Sequence, residues 1–384
     1  MPNIYLDNGS TSFPKAPGVG RAMLNYIEDE GVNISRGGYQ SAYSVAERVL
    51  ETREQLCSLF NFKKAENVVF TSGVTASLNQ IISGYLRAGD HVLTSSMEHN
   101  AVMRPLAVAQ KGGAEYSCAP CAEDGSLDFE AFKAKIKANT KLVVMTHASN
   151  VCGTVMPIKE VGRFCRENGI CFAVDCAQSG GILDIDMDEM CIDFLAFAGH
   201  KGLLGPQGIG GFLVRDECVG KIAPLIAGGT GSISHSIEIP EFMPDRFEAG
   251  TQNLPGIMGL NASLKFLEEI GIKKLREHEL ALAERFIKGI ADVENVRIAG
   301  KKSAEGRTAV VSLGFENMDN AAATWHLESD FGIMTRCGLH CAPIAHQTLK
   351  TYPQGTVRFT PGFFTAEEEI DAAIHAVREI SVMK

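Results

Sequence analysis

The apolar positions of this chain fall into short, nearly continuous runs separated by stretches with helical spacing. Asn67-Val-Val-Phe70, His91-Val-Leu-Thr94, Lys141-Leu-Val-Val-Met-Thr146, Cys171-Phe-Ala-Val-Asp175 and Phe194-Leu-Ala-Phe197 read as strands. Helical patterns fill the intervals near 76–88, 99–108 and 158–167. Strands that are apolar on both faces are buried on both, so this alternation predicts an α/β fold with a mostly parallel sheet covered by helices. Ligands of such sheets sit beyond the C-terminal ends of the strands. The last third changes character. Two long helices near 257–269 and 273–290 precede the runs Val310-Val-Ser-Leu313 and Thr356-Val-Arg-Phe359, and a helix near 366–379 closes the chain. Its first turn carries Glu367, Glu368 and Glu369, which suits the positive end of a helix. This part reads as a smaller α+β domain. The expected division is 15–255 for the large domain, with 1–14 and 256–384 forming the small one.

Chemistry enters with Gly199-His-Lys-Gly-Leu-Leu-Gly-Pro-Gln-Gly208, a glycine-rich loop between two apolar runs. An amine held between core strands is desolvated, which lowers its pKa and frees its lone pair to attack an aldehyde. Lys201 is that amine. Asp175 ends a strand, and Asn150 and His99 follow two others, so all are expected at the same rim. Each alone also suits a plain turn or cap. Thr71-Ser-Gly-Val-Thr75 opens a helix, where backbone N–H groups receive either an anion or an ordinary capping side chain. A helix start for phosphate, a carboxylate for a ring nitrogen and an amine for an aldehyde together suit pyridoxal 5'-phosphate.

Composition narrows the field further. Over 384 residues, 45% are hydrophobic and 21% charged, with a net charge of -10. That balance argues against a non-specific grip on nucleic acid or an acidic membrane. No run reaches the length of a membrane helix, and the first residues lack the basic and apolar regions of a signal peptide. A cytoplasmic protein is expected. The eleven cysteines are dispersed, so a disulfide framework is not expected. Cys118 and Cys121 form one C-x-x-C, read as a surface loop without metal. Cys337 and Cys341 flank His340, but no second pair with zinc spacing lies nearby.

With these pieces in order, the chain resembles the class V aminotransferases, and within them the short-loop cysteine desulfurases and selenocysteine lyases. The resemblance rests on Gly199-His-Lys201, Asp175-x-x-Gln178 and the Glu98-His99 pair, and runs from Tyr5-Leu-Asp-Asn8 to the final helix. It implies the type I fold of pyridoxal-phosphate transferases, with a seven-stranded sheet. It implies that Lys201 carries the cofactor and moves protons, that Asp175 pairs with the ring nitrogen, and that His99 stacks on the ring. Asn150 and Gln178 approach the ring hydroxyl; Val74, Thr75 and His200 hold the phosphate. Gly250 and Thr251 reach the phosphate of a neighbouring subunit, which makes the expected enzyme a homodimer. Asn33, Arg36 and Arg358 lie near the substrate, with Arg358 as the clamp on its carboxylate. Ala198 stands where relatives commonly carry a serine or threonine, and Thr365 where asparagine is commoner.

The resemblance assigns Cys341 as the catalytic cysteine. The implied reaction takes L-cysteine to L-alanine and leaves a persulfide on Cys341 for an acceptor protein. His340 and Arg336 are the candidate positive groups for the thiol. Selenocysteine lyase, and an aminotransferase acting on another small amino acid, are the alternative readings. Cys337 is read either as a packing residue or as a thiol that resolves the persulfide.

Overall fold

The computed structural model describes residues 3–34 and 37–383. Its centre is a seven-stranded sheet. Across the sheet the order is Val68–Thr71, Gly210–Val214, Phe194–Ala198, Cys171–Asp175, Thr140–Thr146, His91–Ser95 and Glu115–Ala119. Only Gly210–Val214 runs antiparallel to its neighbours; the other pairings are parallel. Within each strand the side chains alternate between two cores. Val143, Met145, Phe172, Val174, Leu195 and Phe197 face one layer, and Leu142, Val144, Ala173, Phe194 and Ala196 face the other. This period of two on a doubly covered sheet explains the unbroken apolar runs in the sequence.

Helices Val74–Tyr85 and Asn100–Lys111 cover the second face. Helices Gln40–Leu59, Ile158–Glu167 and Leu254–Ile270 cover the first. Gly271, at φ +81°, ends the last of these and lets the chain turn into Ile272–Ile290. That helix faces a separate core. It packs with Glu367–Ser381 on a four-stranded antiparallel sheet ordered Arg336–Gly338, Thr356–Phe359, Val311–Phe315 and Val296–Ala299. Phe286, Val311, Leu313, Val357 and Phe359 fill the space between. Ile4–Tyr5 adds a short parallel pairing with Ile333–Met334, from which the chain runs on to a bridge between Asp7 and Thr360.

Two elements depart from the sequence reading. Glu115–Ala119 is a strand at the sheet edge, so Cys118 is half-buried in a strand and Cys121 sits at a bridge to Leu127, rather than both lying in a surface loop. Edge strands need not be apolar on both faces, and this one is not. Gln40–Leu59 is a twenty-residue helix that the apolar pattern did not declare. Its buried face mixes Val45, Val49 and Leu56 with Thr52 and Arg53. No helix among the described residues is long and apolar enough to cross a membrane.

Candidate active site

The site forms where the parallel strands end. Asp175 is the last residue of one strand. Thr146 ends the adjacent strand, and Asn150 follows it in the connecting loop. Lys201 lies just past Phe194–Ala198, in the turn that leads into Gly210–Val214. Val74 and Thr75 open the helix after Val68–Thr71. His99 caps Asn100–Lys111, its Nδ1 accepting the Ala101 N–H at 3.0 Å. All of these, together with Gln178, His200 and Arg358, line one cavity of about 220 Å³.

The charges inside it oppose one another. Burial lowers the Lys201 amine to about 8, partly offset by the negative charge of Asp175. Burial raises the Asp175 carboxyl, against a hydrogen bond from the Ala177 N–H at 2.9 Å and the nearby Lys201 charge. Burial also lowers His99 and His200 to about 4, with Lys201 adding to the effect in each. Both imidazoles are therefore neutral at pH 7. Because Nδ1 of His99 accepts a hydrogen bond, its proton resides on Nε2. Behind His99, the fully buried Glu98 accepts from the Ser95 hydroxyl at 2.5 Å and from the Thr146 N–H at 3.0 Å, and burial pushes its carboxyl up to about 8.

Arg358 enters from the smaller sheet. One Nη donates to Asp7 Oδ1 at 2.8 Å and to Ser10 Oγ at 2.7 Å; the other donates to the Asn150 carbonyl at 3.0 Å. Its Nε is buried with no partner. Arg336 reaches the same Ser10 hydroxyl at 2.8 Å. Gln178 donates to the Gly9 carbonyl at 2.9 Å. Lys15 donates to Thr11, Ser12 and the His200 carbonyl at 3.0–3.1 Å, and burial lowers its amine to about 8. The segment from Asp7 to Lys15 thus closes one wall of the cavity. Gly9 and Ser10 line it, as do Thr146, Ala177, Arg336 and His340. Of this wall the sequence offered only the Tyr5-Leu-Asp-Asn8 match. Gly9 and Ser10 carry no local signal, because their role comes from contacts across the whole chain length.

Cys341 is exposed and lies beside the rim, next to His340. Both residues have left-handed backbones, at φ +46° for His340 and +57° for Cys341. The Cys341 carbonyl accepts the Asn100 N–H at 2.7 Å, and the His340 carbonyl accepts from Asn150 at 2.7 Å. Burial lowers His340 to about 2, so it is neutral. It is not a positive neighbour for the thiol, and Arg336 alone of the two expected groups is charged. Cys337, opposite Val357 in the small sheet, packs against the smaller core.

Three expected residues stand apart. Asn33 and Gly250 line a second cavity with Arg53, Asp245 and Glu248, and Thr251 is exposed beside it. Arg36 falls outside the described residues. Glu248 fixes this second region: it takes both ends of the Arg53 guanidinium at 2.7 and 2.9 Å and the Phe70 N–H at 2.7 Å.

The donor set of the first cavity fits pyridoxal 5'-phosphate: a desolvated amine, a buried carboxylate, a neutral imidazole and the N-terminus of a twelve-residue helix. The unpartnered Nδ1 of His200 adds a polar atom at the phosphate end.

The chain is similar to known proteins over nearly its whole length. The family model described as Aminotransferase class-V matches residues 4–373. A probable cysteine desulfurase of Methanothermobacter thermautotrophicus is 31% identical, covering 99% of this chain and 95% of the relative. One from Xylella fastidiosa (strain 9a5c) is 33% identical over 99% of this chain and 91% of its own length. Among solved structures, the apo cysteine desulfurase of Thermococcus onnurineus NA1 superposes with a TM-score of 0.92 at 30% identity, covering 99% of this chain and 94% of that one. The Escherichia coli cysteine desulfurase CsdA gives 0.88 at 26%, covering 99% and 94%.

Proposed function

The chain belongs to the class V aminotransferase family, and from that premise we propose that it is a pyridoxal-phosphate-dependent cysteine desulfurase. L-Cysteine and the Cys341 thiol become L-alanine and a Cys341 persulfide, whose outer sulfur passes to an acceptor protein. The observation that carries this reading is the grouping of Lys201, Asp175 and Arg358 around one cavity with an exposed cysteine beside its rim.

Lys201 would hold the cofactor, Asp175 would serve its ring nitrogen and His99 its ring. Asn150 and Gln178 would serve the ring hydroxyl, and Val74, Thr75 and His200 the phosphate. Bound there, the cofactor draws electrons from the α-carbon of the amino acid, which no side chain of the site does. Arg358 orients the substrate carboxylate, for which its unpartnered Nε and the Nη shared with Asn150 are available. Lys201 Nζ takes the α-proton, a role suited to an amine with a pKa near the working pH. The Cys341 sulfur attacks the substrate sulfur as the Cβ–S bond breaks, and its electron pair stays with the carbon skeleton that leaves as alanine. Arg336 is the positive side chain nearest this exchange in sequence.

Asn33 and Arg36 complete the substrate side. Gly250 and Thr251 serve the cavity of a second copy, so the active species is a homodimer. Exposed Ile27, Tyr43, Ile226 and Phe242 supply apolar surface for such a contact. The two-body division, 15–255 against 1–14 with 256–384, and a cytoplasmic location belong to the same proposal.

The test is to incubate the cofactor-loaded protein with L-cysteine, measure alanine, and trap the persulfide by alkylation on the Cys341 peptide. Equal amounts of alanine and persulfide in the first turnover are expected. A keto acid in place of alanine would identify an aminotransferase. A strong preference for selenocysteine, kept in C341A, would identify a lyase.

A further inference from the structure

A second pair of cysteines lies at the far ends of the strands that bear the site. Cys171 begins the strand that ends in Asp175, and Cys218 lies in the short helix Asp216–Val219. Their sulfurs are 3.8 Å apart, although 47 positions separate them in the chain. Cys171 is 5% exposed and Cys218 1%. Lys221, whose side chain is exposed, extends its ammonium over both, 3.5 Å from the Cys171 sulfur and 3.9 Å from that of Cys218. The Tyr85 hydroxyl donates to the Lys141 carbonyl at 3.2 Å. None of these groups touches the cavity that holds Lys201.

From this geometry we propose that Cys171 and Cys218 form a redox-active dithiol, in which a small hydroperoxide oxidises Cys171 and Cys218 closes the disulfide. In the first step the Cys171 thiolate attacks one peroxide oxygen. The O–O bond breaks, sulfur gives up two electrons to become a sulfenic acid, and the alkoxide or hydroxide that leaves takes a proton from Lys221 or water. In the second step the Cys218 sulfur attacks the sulfenic sulfur and the S–O bond breaks. The products are the disulfide and one water.

Geometry favours Cys171 as the attacking thiol, because it is in contact with the Cys218 sulfur and is the closer of the two to the ammonium. Its pKa is held down, chiefly by the hydrogen bond with Cys218 and against the effect of burial, while that of Cys218 is pushed up by the same hydrogen bond and by burial. The thiolate is thus concentrated on one sulfur with a resolving thiol in contact. Other buried cysteines differ. Burial raises Cys165, and Cys176 as well, without a compensating cation at the sulfur.

The same two sulfurs and an Asp193 oxygen lie within 4.8 Å of one another, the spacing of a three-ligand metal site. Asp193 is already engaged. One oxygen accepts the Phe172 N–H at 2.8 Å, and the other faces Arg215 at 4.0 Å. An ammonium beside both sulfurs also opposes a bound cation, so the dithiol reading is favoured.

The experiment uses the full-length protein with C341S, so that the exposed thiol does not consume the oxidant. Fully reduced, cofactor-loaded protein is exposed to hydrogen peroxide, quenched by alkylation in denaturant and mapped under non-reducing conditions. The expected result is a dithiothreitol-reversible Cys171–Cys218 cross-linked peptide, formed at least several-fold more slowly in K221M. In C218S the Cys171 peptide should instead carry a dimedone adduct. The proposal is overturned if both cysteines remain alkylatable at peroxide doses that convert wild-type Cys341 to its sulfinic form. It is equally overturned if reduced C341S retains one equivalent of zinc through desalting and loses it in C171S, which would make the cluster a metal site. Wild-type protein carried through the same mapping also reports the Cys171–Cys218 peptide, so the result does not depend on how well the variants fold.

Discussion

Asp7 and Arg358 form an ion pair across 351 positions of sequence, Oδ1 to Nη2 at 2.8 Å, with the arginine 2% and the aspartate 20% exposed. The pair positions the guanidinium at the cavity and also competes with an incoming carboxylate. Replacing Arg358 by lysine keeps the charge but removes the planar fork. R358K should raise KM for L-cysteine about tenfold to a hundredfold, the loss of one charge-assisted hydrogen bond, with a smaller change in kcat. D7N should act with the opposite sign on KM while lowering stability, by less than the roughly 3–5 kcal/mol of a fully buried pair. Steady-state kinetics together with urea unfolding of the two variants separates the effects.

The lowered pKa of Lys201 makes cofactor capture pH-dependent. The neutral amine is the nucleophile, and its fraction rises as pH passes upward through about 8, rather than through the ordinary lysine value of 10.5. Mixing apo protein with pyridoxal phosphate across this range and following absorbance should give a rate that reaches half its limit near pH 8. A midpoint near 10.5 would contradict the buried, charge-balanced amine described above. Borohydride should fix the cofactor on the Lys201 peptide, and K201A should retain none.

Two buried glutamates set an acid-side stability profile. Burial raises both Glu98 and Glu279 from 4.5 to about 8. The folded protein therefore binds more protons than the unfolded chain between these values, so stability falls as pH rises from about 4.5 through about 8. Glutamine mimics the protonated acid and cannot ionise. E98Q and E279Q apo proteins should each show a flatter decline in Tm over this window, with the gap to wild type widening toward pH 8. Parallel Tm profiles of variant and wild type would show that the carboxyls are ionised at the lower pH.

How much of this was readable in the chain varies by residue. Strands such as Leu142–Met145 and Phe172–Val174 are legible because two cores demand apolar side chains on both faces. Asp175 and Lys201 are legible because strand ends are where ligands gather. Glu115–Ala119 escaped because an edge strand carries polar side chains, and Gln40–Leu59 because its buried face includes Arg53, held by Glu248. The neutrality of His340 is a property of its burial, which no neighbouring letter announces. The wall made by Gly9 and Ser10 depends on contacts with residues some 170 to 350 positions away.

The distance in role between Lys201 and Thr251 gives a test of the homodimer. On the proposed homodimer, K201A damages the cavity of its own subunit and T251D that of the partner, so a mixed dimer would contain one site with neither defect. Each variant alone should be inactive. Mixing equal amounts under conditions that allow subunit exchange should restore about one quarter of wild-type activity for random pairing. If both defects affect the same cavity, mixing will restore nothing.

The clasp that Asp7, Gly9, Ser10 and Lys15 make with Arg358, Gln178, Arg336 and His200 changes what trimming the chain would mean. Terminal residues of most domains can be removed with little effect. Here deletion of the first twelve residues would take away an anion, a hydroxyl and a carbonyl that hold three active-site side chains. It would also open the cavity to water on one side. An amino-terminal protease cut in this stretch should therefore abolish turnover well before it unfolds the larger sheet, and bound substrate should protect against it.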